Sequence, residues 1–579
     1  MVRGSDGSEA VTDSPVSLTL FHPPGNVLAT PGNPFGKDIA NAGLFRALAR
    51  HGGYSALHVL HQSSASAEQL SLEFYPPGGP QAQLSTGPLW NTALPERSGV
   101  LLRGQPYLAE LAWLRRSAGR DASRADAAYS LAGLIHTTAP PAIREQMAAA
   151  ALAPVQPWDA LICTSPAVQA AMEQLFDQQA AHFHERLGAS RAPRPQLPLI
   201  PLAVEVEAIA AQAADGAARR ALRQRLAIPD ADVLVLWVGR LSYFEKAFPQ
   251  VMLRAVQQAA ARCGQRLHFA LVGWFPNGEA DLRLYQQAAE QLAPDVNVLV
   301  LDGNDTQLLA QSWAAADVFL SLVDNIQETF GLAPVEAMAA GLPVVVSDWD
   351  GYRYTVRDGV DGCLIPTLGA PGGAPGELLA QLHTLGLEAY QTYVGAVAQH
   401  TAVHLGRATD ALVQLLRSPE RRAAMGAAAQ TRAREMFSWP VVVGQYNALF
   451  VELAERRARA LRDGEVVGGA RLQPNRGDPF ADFRGFASAV LEPDLRLRLA
   501  AGVGPADLDP LLAVQLNRLY PGLRGSVPEA MALLEQLQAA GAAGATPAQL
   551  LASVSPGRGP YLDTTLVWLA KLGLVDWLV

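Results

Sequence analysis

Short apolar runs that end at glycine or proline alternate along this chain with longer stretches of helical spacing. The runs Ser17–Phe21, Val233–Val238 and Val344–Val346 predict strands, and the last two are apolar enough to be buried on both sheet faces. Apolar residues recur at helical spacing over Ile39–His51, directly after the first strand and its glycine-rich loop. This repeated succession of strand and helix predicts an α/β protein with doubly wound parallel sheets.

Two glutamates stand at a fixed spacing in front of one predicted strand. Seven residues separate Glu328 from Glu336. The helix that precedes the strand is predicted to start at Pro334 and to stop near Gly341. Glu336 then lies in the first turn of the helix and Glu328 on the loop before it. The loop at 347–351 follows the strand at its carboxyl end, where open α/β sheets bind ligands.

Each glutamate also has an ordinary structural explanation. Glu336 could complement the positive end of its own helix, although Ala333 stands where a capping box needs serine or threonine. Glu328 could be a solvated loop residue. Spacing alone leaves both explanations open.

Basic residues follow the strand Val233–Val238. The chain continues with Gly239 and Arg240, and Lys246 comes six residues after the arginine. Arginine presents a fork of donors to phosphate oxygens and lysine a compact charge, so this pair suits a diphosphate. A solvated basic pair beside Glu245 is the alternative.

These motifs together resemble the family 4 glycosyltransferases, which are retaining enzymes of the GT-B fold that use nucleotide sugars. The resemblance rests on E-x7-E, on A-G-x-P-V-V after it, and on G-x-x-x-x-V-x-D-G-x-x-G from Gly351 to Gly362. It extends more weakly from about residue 17 to about residue 455. It implies two Rossmann-like domains facing across a cleft, and front-face substitution in which the leaving phosphate helps to deprotonate the acceptor.

The resemblance also implies roles for particular residues. Arg240 and Lys246 are expected to stabilise the leaving diphosphate, and Glu328 to hold hydroxyls of the donor sugar. Glu336 is expected to accept hydrogen bonds from the ribose, and His136 to contact the donor sugar from the opposite domain.

Further donor contacts are expected from backbone and loop positions. The backbone N–H groups of three consecutive residues would assist at the diphosphate, and a loop at the first helix would approach the donor. These positions are Phe330, Gly331 and Leu332, with Gly36 and Lys37 at the first helix.

Composition narrows the classes of function. The 579 residues carry a net charge of −9, which disfavours a nucleic-acid-binding role. Three widely spaced cysteines predict neither disulfides nor a zinc site, and the pair Asp348 and Asp350 is a weak metal signal, so no metal is expected. No signal peptide or membrane span is predicted, so the expected location is the cytoplasm, with the inner face of the membrane as an alternative.

Six segments are predicted along the chain. They are a disordered start at 1–14, an acceptor domain at 15–207, a donor domain at 208–440, a crossover helix at 441–463, a linker at 464–480 and a helical module at 481–579. A helical insertion near Glu377–Val403 has no predicted role. Four arginines at 115, 116, 120 and 124 predict either a solvated helix face or an anionic acceptor site.

The predicted function is transfer of a hexose-type sugar from a UDP- or GDP-linked donor to a glycan, a lipid-linked sugar or a small molecule. Analogy with the family places this in bacterial cell-surface or exopolysaccharide biosynthesis. No cofactor is expected besides the donor substrate. The alternatives are a GT-B epimerase or phosphorylase, and a nucleotide-sugar-binding scaffold without turnover.

Overall fold

The computed structural model of the protein describes residues 17–22, 36–62, 67–75, 82–119, 124–466 and 468–577. The chain forms two compact units, Met1–Gln473 and Pro474–Val579. The predicted disordered start at 1–14 and the arginine at 120 lie outside the described residues.

The first unit contains two six-stranded parallel sheets. The strands of the first sheet are β1 (Ser17–His22), β2 (Ala56–His61), β3 (Gln83–Pro88), β4 (Val100–Arg103), β5 (Ser130–Leu134) and β6 (Ala160–Ile162). Those of the second are β7 (Val233–Val238), β8 (Leu267–Gly273), β9 (Asn297–Asp302), β10 (Val318–Ser321), β11 (Val344–Ser347) and β12 (Gly362–Ile365). All neighbours within both sheets pair in parallel.

Both sheets have the same doubly wound strand order. The first runs β3-β2-β1-β4-β5-β6 and the second β12-β11-β10-β7-β8-β9. In each, the chain adds two strands on one side of the opening strand and then returns to its other side. The resulting switch points, β1/β4 and β7/β10, open crevices at the carboxyl ends of the strands. This confirms the predicted fold class, a two-domain GT-B architecture.

Helices connect the strands. In the first domain they span Gly36–His51, Ala67–Phe74, Ala93–Ser98, Ala109–Ala118, Pro141–Ala148 and Pro166–Leu187. In the second they span Val206–Ala213, Gly216–Arg225, Gln250–Cys263, Glu279–Leu292, Thr306–Ala315, Leu332–Ala339, Tyr352–Thr355, Ala374–Thr384, Tyr390–Gln399, Leu405–Arg417 and Pro419–Phe437. No helix of the described residues is both long and apolar enough to cross a bilayer.

A long helix, Trp439–Arg462, lies near the end of the first unit and packs on the first domain. Its buried Trp439 and Tyr446 share a hydrophobic cluster with Leu20 and Leu48. The apolar face of this helix therefore closes the core of a domain that lies more than two hundred residues earlier in the chain.

The second unit has its own core. Its longer helices, Val527–Ala540 and Gly559–Lys571, contribute the buried Leu533 and Leu566. A two-stranded antiparallel ladder of β15 (Leu497–Leu499) and β16 (Val575–Trp577) completes it. The preceding pair, β13 (Thr367–Gly369) and β14 (Thr401–Val403), belongs to the first unit. The helical character predicted for the C-terminal module is thereby confirmed.

Two of the four arginines predicted to be solvated or acceptor-binding, Arg115 and Arg116, form internal ion pairs instead, whereas Arg124 is exposed. Arg115 is fully buried and donates to Asp159 at 2.7 and 2.8 Å from its two terminal nitrogens. Arg116 donates from Nε to Asp126 at 2.9 Å. Both pairs are internal to the first domain, because the partner aspartates lie on segments that the sheet topology brings beside this helix.

The helix that carries Glu336 starts earlier than predicted. It begins at Leu332, which places Pro334 at its third position rather than its first. Gly331 precedes it with φ 89°, and a Cβ there would lie 2.0 Å from Tyr352 Cε1. Glycine is required at this position on both counts, so it sets where the helix begins.

Candidate active site

A cavity of about 460 Å³ lies between the two Rossmann-like domains, at the carboxyl ends of β7 and β8. It brings together all ten residues predicted for the site. They are Gly36, Lys37, His136, Arg240, Lys246, Glu328, Phe330, Gly331, Leu332 and Glu336.

The basic residues lie on the loop after β7. The Arg240 guanidinium contacts the Glu245 carboxylate at 2.7 Å and lies 5.9 Å from the centre of the Trp274 ring. Burial lowers the pKa of Arg240, and Glu245 acts in the opposite direction. Arg240 therefore does contact Glu245, but on the cavity wall and not on the solvated surface that the alternative interpretation assumed.

Lys246 and Glu328 form an ion pair on the cavity wall. The lysine Nζ lies 3.1 Å from Glu328 Oε2, while the backbone N–H of Thr329 donates to Oε1 at 3.2 Å. Burial by itself raises the pKa of Glu328, but the Lys246 charge and these hydrogen bonds outweigh it and leave the pKa lowered. Glu328 is thus held as a carboxylate, able to accept hydrogen bonds from hydroxyl groups.

Glu336 is in a different electrostatic position. Burial raises its pKa to about 7. Among the residues that the structure describes, none forms a hydrogen bond or ion pair with its side chain. A partly buried carboxyl on a cavity wall with no protein partner is a group that a bound ligand can satisfy.

His136 links the domains. Its Nε2 lies 2.9 Å from the Gly104 carbonyl oxygen and 2.9 Å from Asn41 Oδ1. Burial lowers its pKa to about 4. Because a carbonyl only accepts, Nε2 carries the hydrogen of the neutral ring and Nδ1 remains an acceptor. The His136 carbonyl in turn accepts from Thr329 Oγ1 at 2.8 Å, which joins the first domain to the loop of Glu328.

The remaining predicted residues lie at two helix starts. Leu332 opens the helix Leu332–Ala339 on the cavity wall, next to Gly331, and the first N–H groups of a helix have no partner within the helix itself. The N–H of the buried Phe330 donates to Glu328 Oε1 at 3.5 Å. Gly36 and Lys37 open the helix Gly36–His51, and Lys37 Nζ contacts Asp38 at 2.7 Å. No atom of the described residues lies within 4 Å of a Cβ placed at Gly36, so those residues do not require glycine there.

Sequence reasoning missed several polar and aromatic residues of the cavity wall. They include Trp274, Gln327, Tyr352 and Tyr390. None of them stands in a motif whose spacing marks it, and Tyr390 comes from the insertion that had no predicted role. The pair Asp348 and Asp350 is used within the protein, since Asp348 contacts Arg353 and Asp350 accepts from Ser165.

Part of the chain is similar to a known family of enzymes. Residues 232–408 match the family model described as glycosyl transferases group 1, so the second domain, which carries Arg240 and Glu336, is similar to that family.

Among curated relatives, D-inositol 3-phosphate glycosyltransferase of Geodermatophilus obscurus is 33% identical over 34% of this chain and 42% of the relative. The protein of that name from Xylanimonas cellulosilytica is 26% identical over 58% of this chain and 80% of the relative. The chain spans less than half the length of the first three curated relatives it matches. Anabaena Alr3699/HepE, solved in complex with UDP and glucose, aligns over 77% of this chain and 100% of its own with 16% identity and a TM-score of 0.45.

Proposed function

We propose that this protein is a glycosyltransferase that moves a sugar from a nucleotide-sugar donor to an acceptor. The observation that carries the proposal is the meeting of Arg240, Lys246, Glu328 and Glu336 on the wall of one interdomain cavity. The group 1 glycosyl transferase match of residues 232–408 supports the same reaction class.

Two cations would stabilise the leaving group. Glycosyl transfer breaks the bond from the anomeric carbon to phosphate, and negative charge grows on the diphosphate. An ammonium has three donors, so Lys246 can keep Glu328 and still donate to phosphate oxygens. Arg240, which contacts Glu245, contributes a second permanent positive charge on the same cavity wall, with N–H donors in the fork geometry that suits phosphate oxygens. The start of the helix at Leu332 adds N–H groups of the same polarity.

The carboxylates and the histidine would orient the donor. Glu328, held ionised by Lys246, would accept hydrogen bonds from hydroxyls of the transferred sugar. Glu336 would accept them from the ribose. His136 is neutral near pH 7 and offers Nδ1 as an acceptor, so its proposed role is contact with the donor sugar, not proton donation.

The finer features follow the family resemblance. We propose retention of anomeric configuration by front-face substitution, with a hexose donor linked to UDP or GDP and without a metal ion. Acceptors to test are glycans, lipid-linked sugars and small molecules, including D-inositol 3-phosphate because it appears in the names of the relatives. A cytoplasmic location and a role in cell-surface or exopolysaccharide biosynthesis complete the proposal.

A thermal-shift screen of UDP-, GDP- and ADP-sugars tests the donor class, because a ligand that binds only the folded state raises the melting temperature. Product analysis with the labelled donor that binds then separates transfer from epimerisation. The anomeric configuration of the product, determined by NMR, tests retention. Binding without any product would favour the scaffold, and no binding to any sugar nucleotide would refute the proposal.

A further inference from the structure

A helical excursion, residues 370–400, leaves the second domain between β13 and β14. The two strands pair antiparallel with Gly369 opposite Thr401, so the excursion starts and ends at one place. It consists mainly of the helices Ala374–Thr384 and Tyr390–Gln399. The sequence of this excursion predicted no role, whereas the fold brings one of its residues to the cavity.

The second helix of the excursion packs on the loop that carries the basic residues. At Gly395, a Cβ would lie 3.2 Å from the Cβ of Phe244, so the helix approaches this loop closely. Phe244 stands between Arg240 and Lys246 in the chain. The excursion is therefore anchored beside the diphosphate-binding loop.

The first residue of that helix, Tyr390, reaches the cavity. Its hydroxyl donates a hydrogen bond of 2.7 Å to Gln327 Oε1, and both side chains lie on the cavity wall. Burial and the nearby Glu245 raise the pKa of Tyr390, so the phenol keeps its proton and remains a donor.

Aromatic contacts within the excursion hold Tyr390 in place. The His383 ring stacks on Tyr393 with 5.0 Å between centroids and lies 6.3 Å from the Tyr390 ring. His383 Nδ1 also lies 3.0 Å from the Glu388 carbonyl, within the turn that joins the two helices. The tyrosine is thus supported from both helices.

Gln327 is fixed on two sides and open on a third. Its backbone N–H donates to Asn325 Oδ1 at 2.8 Å, and its side-chain oxygen is occupied by Tyr390. Within the described part of the chain, its side-chain nitrogen has no hydrogen-bond partner. An amide nitrogen carries two donors, and Gln327 is a residue of the cavity wall, next to Glu328 in the chain.

We infer that Tyr390 is a positioning residue that orients Gln327 so that the Gln327 amide donates a hydrogen bond to a hydroxyl oxygen of the transferred sugar. This inference rests on the function proposed above. It gives the excursion a part in donor selection, because Glu328 accepts from the sugar while the neighbouring amide donates to it.

Three variants test the inference. Tyr390→Phe removes the hydroxyl and keeps the ring, and Gln327→Ala removes the amide. Tyr393→Phe is the matched control. It removes a hydroxyl from the same helix, and this hydroxyl forms no hydrogen bond with any described residue. Affinities are measured by calorimetry for UDP-glucose, GDP-mannose and ADP-glucose, and for UDP, GDP and ADP alone.

We expect Tyr390→Phe and Gln327→Ala to weaken binding of the sugar nucleotide about three- to tenfold and to leave the nucleoside diphosphate unaffected. In the Gln327→Ala background, Tyr390→Phe should have no further effect, because the tyrosine acts through the glutamine. Tyr393→Phe should bind like the wild type.

Other results separate the two proposals. If the wild type binds a sugar nucleotide and Tyr390→Phe binds it equally well, the inference is wrong while the proposed function stands. Equal loss for the diphosphate alone, or additive effects in the double variant, also overturns it. A wild type that binds none of the six probes overturns the proposed function and the inference together.

Discussion

Replacing Glu336 with glutamine should make the ligand-free protein more stable and the donor complex weaker. The carboxyl has a pKa raised to about 7 from about 4.5, because it is partly buried and no described residue pairs with it. Folding therefore favours its protonated form. Wild-type stability should fall as pH rises from about 4.5 to about 7 and remain at the lower level above that range.

The size of the effect follows from the same shift. Each pKa unit is equivalent to about 1.4 kcal/mol, so the raised pKa of Glu336 corresponds to roughly 3 kcal/mol of unfolding free energy. Because the side chain is only partly buried and water screens it, we expect about 1 to 2 kcal/mol. Glutamine stays neutral at every pH and escapes this cost.

The stability assay is thermal unfolding of the wild type and Glu336→Gln at pH 5 and pH 8. At pH 8 the variant should melt a few degrees higher in the transition that unfolds the second domain, and at pH 5 the two should nearly coincide. Glu290→Gln, at an exposed glutamate of the same domain, is the control and should show no such difference.

The binding assay uses the sugar nucleotide that the thermal-shift screen selects. The ionised carboxylate is the better acceptor for ribose hydroxyls, so wild-type affinity should rise from pH 5 to pH 8. Glu336→Gln should bind about tenfold more weakly at pH 8 and show little pH dependence. A variant that is no more stable at pH 8, or a wild-type affinity that does not change with pH, would refute the reasoning.

Three further predictions concern catalysis and folding. Lys246→Ala and Glu328→Ala should each lower turnover by orders of magnitude while circular dichroism stays native, and wild-type rates in either would reject the assigned roles. Activity should survive dialysis against EDTA, and a loss that Mg²⁺ or Mn²⁺ restores would contradict metal independence. Arg115→Ala leaves the buried Asp159 without an opposite charge, so the urea midpoint of this variant should fall by an amount that corresponds to about 3 to 5 kcal/mol of unfolding free energy. Arg194→Ala, at an exposed ion pair, should cost less than about 1 kcal/mol. Equal midpoints for these two variants would show that the buried pair does not stabilise the first domain.

Local patterns predicted most of the strands and ten of the residues that line the cavity. The strand Val233–Val238 was predicted with its observed bounds, because an apolar run between polar segments needs no distant partner to be recognised. Arg240 and Lys246 could likewise be selected near it, since the chemistry of a diphosphate requires these residue types. The start of the helix at Leu332 was missed, because the left-handed conformation of Gly331 and the closeness of the Tyr352 ring to it are features of the tertiary structure.

Only the tertiary structure decided which side chains meet. Arg115 and Asp159 are 44 residues apart, and the pattern around the arginine suggested a solvated helix face. The ion pair of Lys246 with Glu328 spans 82 residues. Such contacts depend on how the crossover connections stack the strands, which no local window contains.

The sequence alone predicted two doubly wound domains and a set of basic and acidic residues suited to a sugar nucleotide. Folding decided the charge state of each glutamate, because ionisation depends on burial and on the distance to a cation. It also brought Tyr390 to the cavity, since a side chain from a helical excursion reaches a site only through the packing of that helix against the rest of the domain.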